Sequence, residues 1–501
     1  MSFSPARSRS PAASEPEVVV IGAGFGGLAA GLRLAEAGVR VAVCETLKYP
    51  GGCASTFEHR GYQFEAGATL FSGFGEGQLF RQWIDRHGLE VEIDWLDPVV
   101  SLRTPEFVLD IPPDRAAFRR NLLALPGAPG ERLDAFLAFQ TRVADRLWQV
   151  LDDPDLLPPF RPRALLHHAR RLPLDVGLAR WIGRPLSALV DHFGLSGWPP
   201  LRVYLDALCQ ITVQCPSSEA EALFALGTMD YYFRGTGHVR GGIGRLAWAL
   251  AGAIEAQGGS VRFLHRVRAV HRAGNRFEVV TRRGVLRPRA VVANLLPQAL
   301  EAMIDEDLGL ARRRAQVEDG WGAAMLYRVV PEPPGDPSAH HLELVQDPGR
   351  PFLEGNHLFC SLSGARDEGR APVGHRTLTV STHVPMRRLL AKSKDERALY
   401  VAEIQATMRR GVQRFAPQWS EQAADFATTA SPRTFQRFVG RPEGFVGGVP
   451  RRAGLRHYLD VWPAEPRPGL VLVGDSVFPG QSTLAVALGG IKAAERVLRR
   501  L

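Results

Sequence analysis

The sequence predicts an α/β protein organised around a parallel sheet, and three features carry this prediction. Near the N-terminus, Val18 to Ile21 are four consecutive β-branched apolar residues, as is typical of a strand buried on both faces. A glycine-rich turn, an apolar helix that ends at Gly38 and a second strand that closes at Glu45 follow directly. Near the C-terminus, another buried strand, Leu470 to Val473, precedes a long helix from about Thr483 to Arg499.

The first turn contains Gly22, Gly24 and Gly27 in G-x-G-x-x-G spacing, and Gly26 is a fourth glycine inside the pattern. The first glycine of this pattern allows a tight turn, the second lets backbone approach a pyrophosphate, and the last lets the helix pack on the strand. The pyrophosphate then lies at the positive end of the helix dipole, while the carboxylate of Glu45 accepts hydrogen bonds from the ribose of an adenosine. The alternative is a glycine-rich βαβ corner without a ligand. The strand, helix and acid all stand in place, which favours dinucleotide binding.

Composition limits the class of partner. The chain has 501 residues, of which 45% are hydrophobic, and its formal net charge is +9. This length supports a large core and more than one domain. The charge comes without zinc-finger spacing or an aromatic-basic motif, so we expect no nucleic acid partner. An acidic membrane surface fits the charge better, although a general arginine bias explains it equally well.

Cysteine usage and hydropathy indicate the compartment. Five scattered cysteines without a CxxC pair argue for a reducing compartment and against a disulfide framework, and no metal site is predicted. No apolar run is long enough to span a bilayer. Residues 1–16 are rich in Ser, Pro and Arg and predict a disordered tail rather than a signal peptide. We therefore expect a cytoplasmic protein.

The sheet-forming pattern is discontinuous along the chain. We expect a nucleotide-binding domain formed by residues 17–75, 237–298 and 461–501. Residues 76–236 are expected to form a helical region that contacts substrate or membrane. Residues 299–460 are expected to form a substrate-binding domain of mixed helix and strand. Val261 to Val270 alternates as one half-buried strand, and Asp395 to Phe415 is predicted to be a helix.

One segment of the helical region is both basic and amphipathic. It combines arginines with apolar side chains, namely Arg161, Arg163, Arg170 and Arg171 with Leu165, Leu166, Leu172, Leu174 and Trp181. A helix of this kind lies on a membrane surface, or it presents a solvated basic face above a core stripe. The second interpretation is the more common one.

Three separated motifs together resemble a known family. GAGFGG with Glu45, PGGCASTF, and GDSVFPGQSTLAVALGG are similar to those of the FAD-dependent carotenoid oxidoreductases, meaning the bacterial carotene desaturases and the carotene cis-trans isomerases. The resemblance covers nearly the whole chain after the tail. It implies a glutathione-reductase-like FAD-binding Rossmann domain, a discontinuous mixed-sheet substrate domain and a helical insertion.

The resemblance also implies which residues bind FAD. Gly22, Gly24 and Gly27 match the pyrophosphate turn, and Gly51 with Gly52 matches the glycine pair beside the diphosphate. Glu45 matches the acid that binds adenosine ribose, and Val267 matches the residue whose backbone contacts adenine. Asp475 after Gly474 matches the acid that binds the ribityl chain, and Leu484 with Ala485 matches the helix start near the isoalloxazine ring.

One position departs from the family pattern. Phytoene desaturases typically carry arginine after the glycine pair, whereas this chain has Cys53. GGCAST with GDSVFPGQ is closer to the later-acting 3,4-desaturases and the isomerases. Cys53 is expected to pack beside the cofactor as a small residue; covalent attachment of flavin is the less favoured alternative.

The implied reaction is the removal of a hydride and a proton from a long polyene, with a quinone or oxygen as electron acceptor and with peripheral attachment to a membrane. The enzymatic alternatives are an isomerase that uses reduced FAD, a saturase and a ketolase. Amine oxidase is a weaker alternative. Rab GDP-dissociation inhibitors, which have the same fold, are a non-enzyme alternative. Arg240 and Glu65 flank cofactor-facing glycine segments and are weak candidates for acid-base roles. Aromatic candidates for an apolar tunnel wall are Phe71, Phe74, Tyr231, Tyr232, Phe233, Phe435 and Phe438.

Overall fold

The computed structural model describes residues 15–333 and 339–501, apart from the side chains of residues 172–176. Residues 1–14 of the predicted tail lie outside this description. Within the described ranges the strands are, in chain order, β1 Val18–Ile21, β2 Val41–Cys44, β3 Thr56–His59, β4 Tyr62–Glu65, β5 Ile93–Asp94, β6 Val100–Arg103, β7 Val108–Ile111, β8 His238–Val239, β9 Ser260–Arg262, β10 Val267–Ala273, β11 Arg276–Thr281, β12 Gly284–Leu286, β13 Ala290–Asn294, β14 Trp321–Pro331, β15 His341–Val345, β16 His357–Leu362, β17 His375–Pro385, β18 Phe426–Ala430, β19 Ala464–Arg467 and β20 Leu470–Val473.

The α-helices of the same described ranges are α1 Phe25–Glu36, α2 Leu79–His87, α3 Arg115–Leu123, α4 Gly130–Leu151, α5 Pro162–Ala179, α6 Leu186–His192, α7 Pro199–Thr212, α8 Ala222–Thr228, α9 Gly244–Ala256, α10 Pro297–Glu301, α11 Ala311–Glu318, α12 Met386–Leu390, α13 Lys394–Phe415, α14 Pro432–Val439, α15 Leu455–Asp460 and α16 Thr483–Leu498. None of them is long and apolar enough to cross a membrane.

A six-stranded sheet forms the centre of the nucleotide-binding part, in the order β19-β20-β13-β1-β2-β9. Its strands are parallel except for the β19–β20 pair. Six strands from three distant stretches of sequence therefore meet in one sheet. Val18, Val19 and Val20 are fully buried, and burying each such side chain stabilises the fold by about 1.5–3 kcal/mol.

Both faces of this sheet are covered. Helices α1, α9 and α16 pack on one face, against Val18 and Val20 of β1. The three-stranded antiparallel sheet β10-β11-β12 contributes Val270 and Phe277 to the core on the other face. Burial on both sides explains why β1 is apolar throughout rather than alternating.

A seven-stranded mixed sheet, β18-β14-β17-β16-β15-β6-β7, forms the second layer system. Alternate residues of β14 enter two different cores. Ala324 and Leu326 pack in the core that contains α13, whereas Met325 and Tyr327 pack with Phe64. The second of these faces is turned toward the candidate site.

Two expectations about this architecture need correction. Val261 to Val270 is not one strand, because β9 ends at Arg262 in the parallel sheet and β10 begins at Val267 in another sheet. The chain turns between them through Leu264, whose φ is +53°. Residues 76–236 are mainly helical as expected, but β6 and β7 of this region also complete the seven-stranded sheet.

Candidate functional site

Two glycine turns lie side by side at the carboxyl end of β1. The amide of Gly51 donates a hydrogen bond to the Ala23 carbonyl at 2.8 Å, and Gly24 and Gly51 form a parallel bridge. Gly51 has a φ of +108°, which an L side chain adopts only with strain. A Cβ atom on Gly24 would approach Asn294 Nδ2 to 2.8 Å. The turns thus present bare backbone to the space in front of them.

Gly27 has a different role from the other glycines of the turn. A Cβ atom there would collide with the Gly22 carbonyl oxygen, so the residue allows α1 to pack against the end of β1. Gly22, Gly24 and Gly26 border the adjoining cavity, whereas Gly27 does not. The third motif glycine is therefore a packing residue, as the motif requires.

The carboxylate of Glu45 is fixed by backbone amides at the end of β2. Glu45 Oε2 accepts a hydrogen bond from the Ala23 amide at 2.7 Å, and Oε1 accepts one from the Leu47 amide at 2.8 Å. Burial raises the pKa of Glu45, and these two amides act in the opposite direction. The carboxylate is held in one orientation at the cavity edge, with lone pairs left for further donors.

A cavity of about 970 Å³ runs from the glycine turns into the substrate part of the molecule. One end is bordered by Glu45 and Val267, and the other by aromatic and aliphatic residues of the helical region and of the seven-stranded sheet. The cavity wall contains twelve of the thirteen predicted cofactor residues, namely Gly22, Gly24, Gly26, Glu45, Gly51, Gly52, Cys53, Val267, Gly474, Asp475, Leu484 and Ala485.

Asp475 and Cys53 share a partner that the sequence motifs do not include. Arg441 Nη2 donates to Asp475 Oδ2 at 2.6 Å, and the positive charge of the same guanidinium also acts on the Cys53 thiol. Burial raises the pKa of the Cys53 thiol, so the thiol is protonated at neutral pH. Arg441 lines the cavity between the two motifs. Its positive charge lies near Cys53, the position at which phytoene desaturases typically carry arginine.

The N-terminus of α16 also borders the cavity. Ser482 caps the helix by accepting a hydrogen bond from the Ala485 amide at 3.1 Å, and it has a φ of +97°. Leu484 and Ala485 lie in the first turn and line the cavity. The positive end of the helix dipole thus points to the space beside these residues.

The aromatic candidates fall into two groups. Tyr231, Tyr232 and Phe435 line the cavity. The Tyr231 hydroxyl donates to the Leu70 carbonyl at 2.8 Å, and the Tyr232 hydroxyl donates to Glu343 Oε1 at 2.8 Å. Both phenols are therefore held in place and turn their rings toward an apolar wall.

The other four aromatic candidates do not border this cavity. Phe71 and Phe74 are core residues that pack with Phe80, at ring distances of 6.0 and 5.6 Å. Phe233 packs against Phe118 at 5.4 Å, and Phe438 is exposed on α14. None of these four borders the cavity. Glycine-rich surroundings alone do not indicate which way an aromatic side chain points.

Neither acid-base candidate reaches the cavity. Arg240 pairs with Glu92 and Asp94 beside the antiparallel β5–β8 pair. Glu65 is buried in a closed network, where it accepts hydrogen bonds from Thr56 Oγ1 at 2.8 Å and from Arg370 Nη1 at 2.9 Å. The local reason is the same for both, since each is already fully paired with protein partners.

Several polar residues of the wall were not found from the sequence. They come from segments without a motif, namely Asn294, Gln214, His383, Arg441 and Arg451. His383 is half-buried, and desolvation lowers its pKa to about 3, so that its imidazole is neutral at pH 7. Asn294 is the last residue of the buried strand β13, and this position is the only sequence signal among the five.

Comparison with known proteins identifies the family. The model of the flavin containing amine oxidoreductases matches residues 25–498 of the chain. The chain belongs to this family. Membership gives FAD as the cofactor, makes the protein an oxidoreductase and sets aside the non-enzyme alternative.

Curated relatives cover nearly the full length of the chain. Prolycopene isomerase 1, chloroplastic, of an Oncidium hybrid cultivar is 25% identical over 97% of this chain and 84% of its own. The corresponding Arabidopsis thaliana isomerase is 23% identical over 96% and 82%. Hydroxyneurosporene desaturase of Cereibacter sphaeroides is 27% identical over 97% and 98%. The motif resemblance to this group of flavoenzymes is thereby confirmed.

Solved structures agree on the fold. An oxidoreductase from Methanosarcina mazei matches with a TM-score of 0.65 and 18% identity, over 95% of this chain and 99% of that one. Putrescine oxidase matches with a TM-score of 0.61 and 16% identity, over 97% and 99%. The predicted α/β fold, with a parallel Rossmann-like sheet and a mixed substrate sheet, is confirmed.

The residues around the cavity fit FAD. Only glycine allows the close packing of the two turns, because a Cβ atom at Gly24 would meet Asn294 Nδ2 at 2.8 Å and one at Gly51 would meet the Ala54 carbonyl oxygen at 2.5 Å. The exposed backbone amides of such turns suit a diphosphate. Glu45 and Asp475 are carboxylates at opposite ends of the cofactor segments, suited to sugar and sugar-alcohol hydroxyls. The cavity is also larger than FAD-binding segments alone require, because it continues into an apolar wall.

Proposed function

We propose that this flavoenzyme oxidises a long polyene of the carotenoid class, as a desaturase of the later-acting 3,4 type. The observation that carries the proposal is the continuous cavity, which joins the cofactor segments to a wall of side chains such as Leu147, Phe224 and Phe359. A carotenoid carries no polar group along its chain, so an apolar channel beside the flavin is the site it requires. The desaturase among the relatives covers the chain from end to end.

Each cofactor segment has a proposed partner in FAD. The amides of the two glycine turns hold the diphosphate, Glu45 the adenosine ribose and Val267 the adenine. Asp475 binds the ribityl chain, while the N-terminus of α16 lies near the isoalloxazine ring. Arg441 adds a cation to this set, since it pairs with Asp475 and its charge acts on Cys53. Cys53 acts as a small packing residue here, because its buried thiol stays protonated.

The reaction removes two hydrogens from neighbouring carbons. FAD, when bound, would supply the hydride acceptor for an allylic carbon, and loss of a proton from the adjacent carbon would complete the new double bond. The apolar wall holds the chain extended and excludes water. The proton is released with the electrons to the final acceptor, because burial lowers the pKa of His383 in the cavity wall to about 3 and makes its imidazole too weak a base to keep the proton. A quinone or oxygen then takes the electrons from the flavin.

A carotenoid cis-trans isomerase is the second candidate. It is favoured by the prolycopene isomerases among the relatives, which match 97% and 96% of the chain. In such an enzyme reduced FAD acts without net turnover, so no proton acceptor and no electron acceptor are needed. The same cavity serves either reaction, and redox stoichiometry separates the two.

We also propose that the cavity opens toward a membrane. Phe160, Ile182 and Trp462 line the cavity and are each 41% exposed, and the Phe160 and Trp462 rings lie 5.8 Å apart. Leu455 and Leu459 of α15 extend this apolar edge and are 67% and 68% exposed. We call these five residues the entrance rim. A polyene dissolved in a bilayer reaches the cavity from such a rim without crossing water.

Arginines accompany the entrance rim. On α5, Arg163 and Arg170 are exposed, together with Leu165 and Leu166, whereas Trp181 beyond the helix is buried. The side chains of Leu172 and Leu174 lie outside the described residues. Exposed leucines beside arginines favour the membrane interpretation of this helix over a solvated face above a core stripe.

An anaerobic half-reaction tests the proposed function. The FAD-loaded protein is mixed with a hydroxylated or unmodified acyclic carotenoid in liposomes, without an electron acceptor. A desaturase bleaches the flavin band and yields one dehydrogenated product per flavin. An isomerase leaves oxidised flavin unchanged and acts only after the flavin has been reduced. If neither of these outcomes is seen with any acyclic carotenoid, the proposed substrate class is wrong.

A further inference from the structure

Arg451 is a buried cation that faces the cavity. The residue is only 6% exposed. Nη2 donates to the Pro479 carbonyl at 3.3 Å, the guanidinium lies 5.7 Å from the Phe224 ring centroid, and Nη1 has no hydrogen-bond partner in the described protein. Burial lowers the pKa of Arg451 to about 9, so the group stays charged at neutral pH.

The charge is not neutralised by a carboxylate of its own. Asp475 is the carboxylate whose field reaches Arg451, but Asp475 already forms an ion pair with Arg441 at 2.6 Å. Burying a guanidinium without a dedicated counterion is costly. Such a group indicates a ligand that carries negative charge in at least one of its states.

The position of Arg451 narrows the choice of ligand. Its guanidinium packs so closely on Gly480 that a Cβ atom there would collide with Nη2. Gly480 lies two residues before Ser482, the N-cap of α16. A full positive charge and the positive end of a 16-residue helix therefore converge on one part of the cavity.

Two further unpaired atoms lie in the same wall. Gln214 Oε1 and Gln481 Oε1 are buried without a hydrogen-bond partner in the described protein. Both amides are held by their nitrogen atoms, since Gln481 Nε2 donates to the Ile211 carbonyl at 2.7 Å and Gln214 Nε2 to the same carbonyl at 3.2 Å. A polyene chain pairs with none of these atoms, whereas the pyrimidine edge of a flavin carries both donors and acceptors.

We propose that Arg451 binds the pyrimidine edge of the flavin and stabilises the negative charge that this edge gains on reduction. Hydride addition at N5 leaves an electron pair shared by N1 and the C2 carbonyl, and a guanidinium at that position favours the reduced form. The inference depends on FAD as cofactor and not on which polyene is oxidised. It can therefore fail while the proposed function holds, and the reverse is also true.

The test measures the flavin itself. Arg451→Gln, Arg451→Lys and wild-type protein are purified with FAD, and the midpoint potential and the Kd for sulfite are determined. Sulfite adds to N5 through its lone pair and leaves the ring with the same negative charge, so it reports on the charge near N1. Arg433→Gln is the control, because Arg433 is exposed on α14 and does not border the cavity.

Loss of the charge is expected to weaken sulfite binding at least about tenfold. The same tenfold change corresponds to a potential lower by about 30 mV for two electrons. Arg451→Lys should keep most of the wild-type values, and Arg433→Gln all of them. If Arg451→Gln holds FAD with unchanged potential and sulfite affinity, the proposal is wrong. If Arg451→Gln purifies without FAD, Arg451→Lys decides: wild-type potential supports the proposal, and a potential lowered by the full amount overturns it.

Discussion

Arg441 gives the sharpest test of the cofactor site, because we propose that it supplies the cation that the glycine motif lacks at Cys53. The variant Arg441→Ala removes the cation between Cys53 and Asp475. It also leaves the Asp475 carboxylate without the guanidinium that lies 2.6 Å away. We expect weaker binding of FAD without loss of the fold, since both side chains border the cavity rather than the core.

The magnitude follows from the geometry of the pair. The side chains of Arg441 and Asp475 are 18% and 17% exposed, so water screens the interaction only in part. A hydrogen bond to a charged group of this kind contributes about 1.5–3 kcal/mol. If the same guanidinium contacts FAD, its loss raises the Kd for FAD by about 10- to 150-fold.

The assay is a titration of apoprotein with FAD, followed by quenching of flavin fluorescence, with thermal unfolding as a check on the fold. Arg433→Ala on the exposed face of α14 is the matched control and should bind FAD as wild type does. In the double variant Arg441→Ala with Cys53→Arg, a guanidinium returns to the glycine turn, and we expect at least half of the lost binding free energy to return. An unchanged or tighter Kd in Arg441→Ala would refute the reasoning.

Three further predictions follow from the same structure. Gly24→Val should abolish FAD binding, because even the Cβ atom would approach Asn294 Nδ2 to 2.8 Å; a FAD-loaded variant with a normal absorption spectrum would contradict this. Phe71→Ala should lower the free energy of unfolding by about 3–5 kcal/mol in urea, since the ring is 1% exposed and packs 5.1 Å from Phe25; a change in substrate range at unchanged stability would restore Phe71 to the wall. The double variant Leu459→Ser with Trp462→Ser should reduce flotation with acidic liposomes. The control variant Leu399→Ser should not, because Leu399 is exposed on α13 and is not part of the rim. Equal flotation of the double variant and the control variant would count against the entrance rim.

The parts of the fold that local pattern determines were predictable from the sequence. Val18 to Ile21 and Leu470 to Val473 form strands with exactly those ends, because strands buried on both faces consist of unbroken apolar runs. The predicted strand from Val261 to Val270 was wrong for the complementary reason. Apolar alternation does not reveal that the chain leaves one sheet at Leu264 and enters another.

The candidate site divides in the same way. Glu45, Asp475 and all predicted motif glycines except Gly27 border the cavity, because a motif fixes its own local geometry. Arg441, Arg451 and His383 stand in segments without a motif and reach the cavity only through the packing of α14, α15 and β17 around it. Likewise, Phe71 and Tyr231 are equally good candidates for the wall in sequence. Only the tertiary structure shows that Phe71 lies in the core and that Tyr231 lies at the wall.

The most direct test of the central claim is the mass and absorption spectrum of carotenoids from a bacterium that accumulates an acyclic carotenoid and expresses this protein. We predict a red-shifted pigment that has lost two hydrogens, and Gly24→Val should abolish its formation. A pigment of unchanged mass but altered double-bond geometry would show isomerisation instead of desaturation. A pigment unchanged in both mass and geometry across acyclic carotenoids would contradict the account.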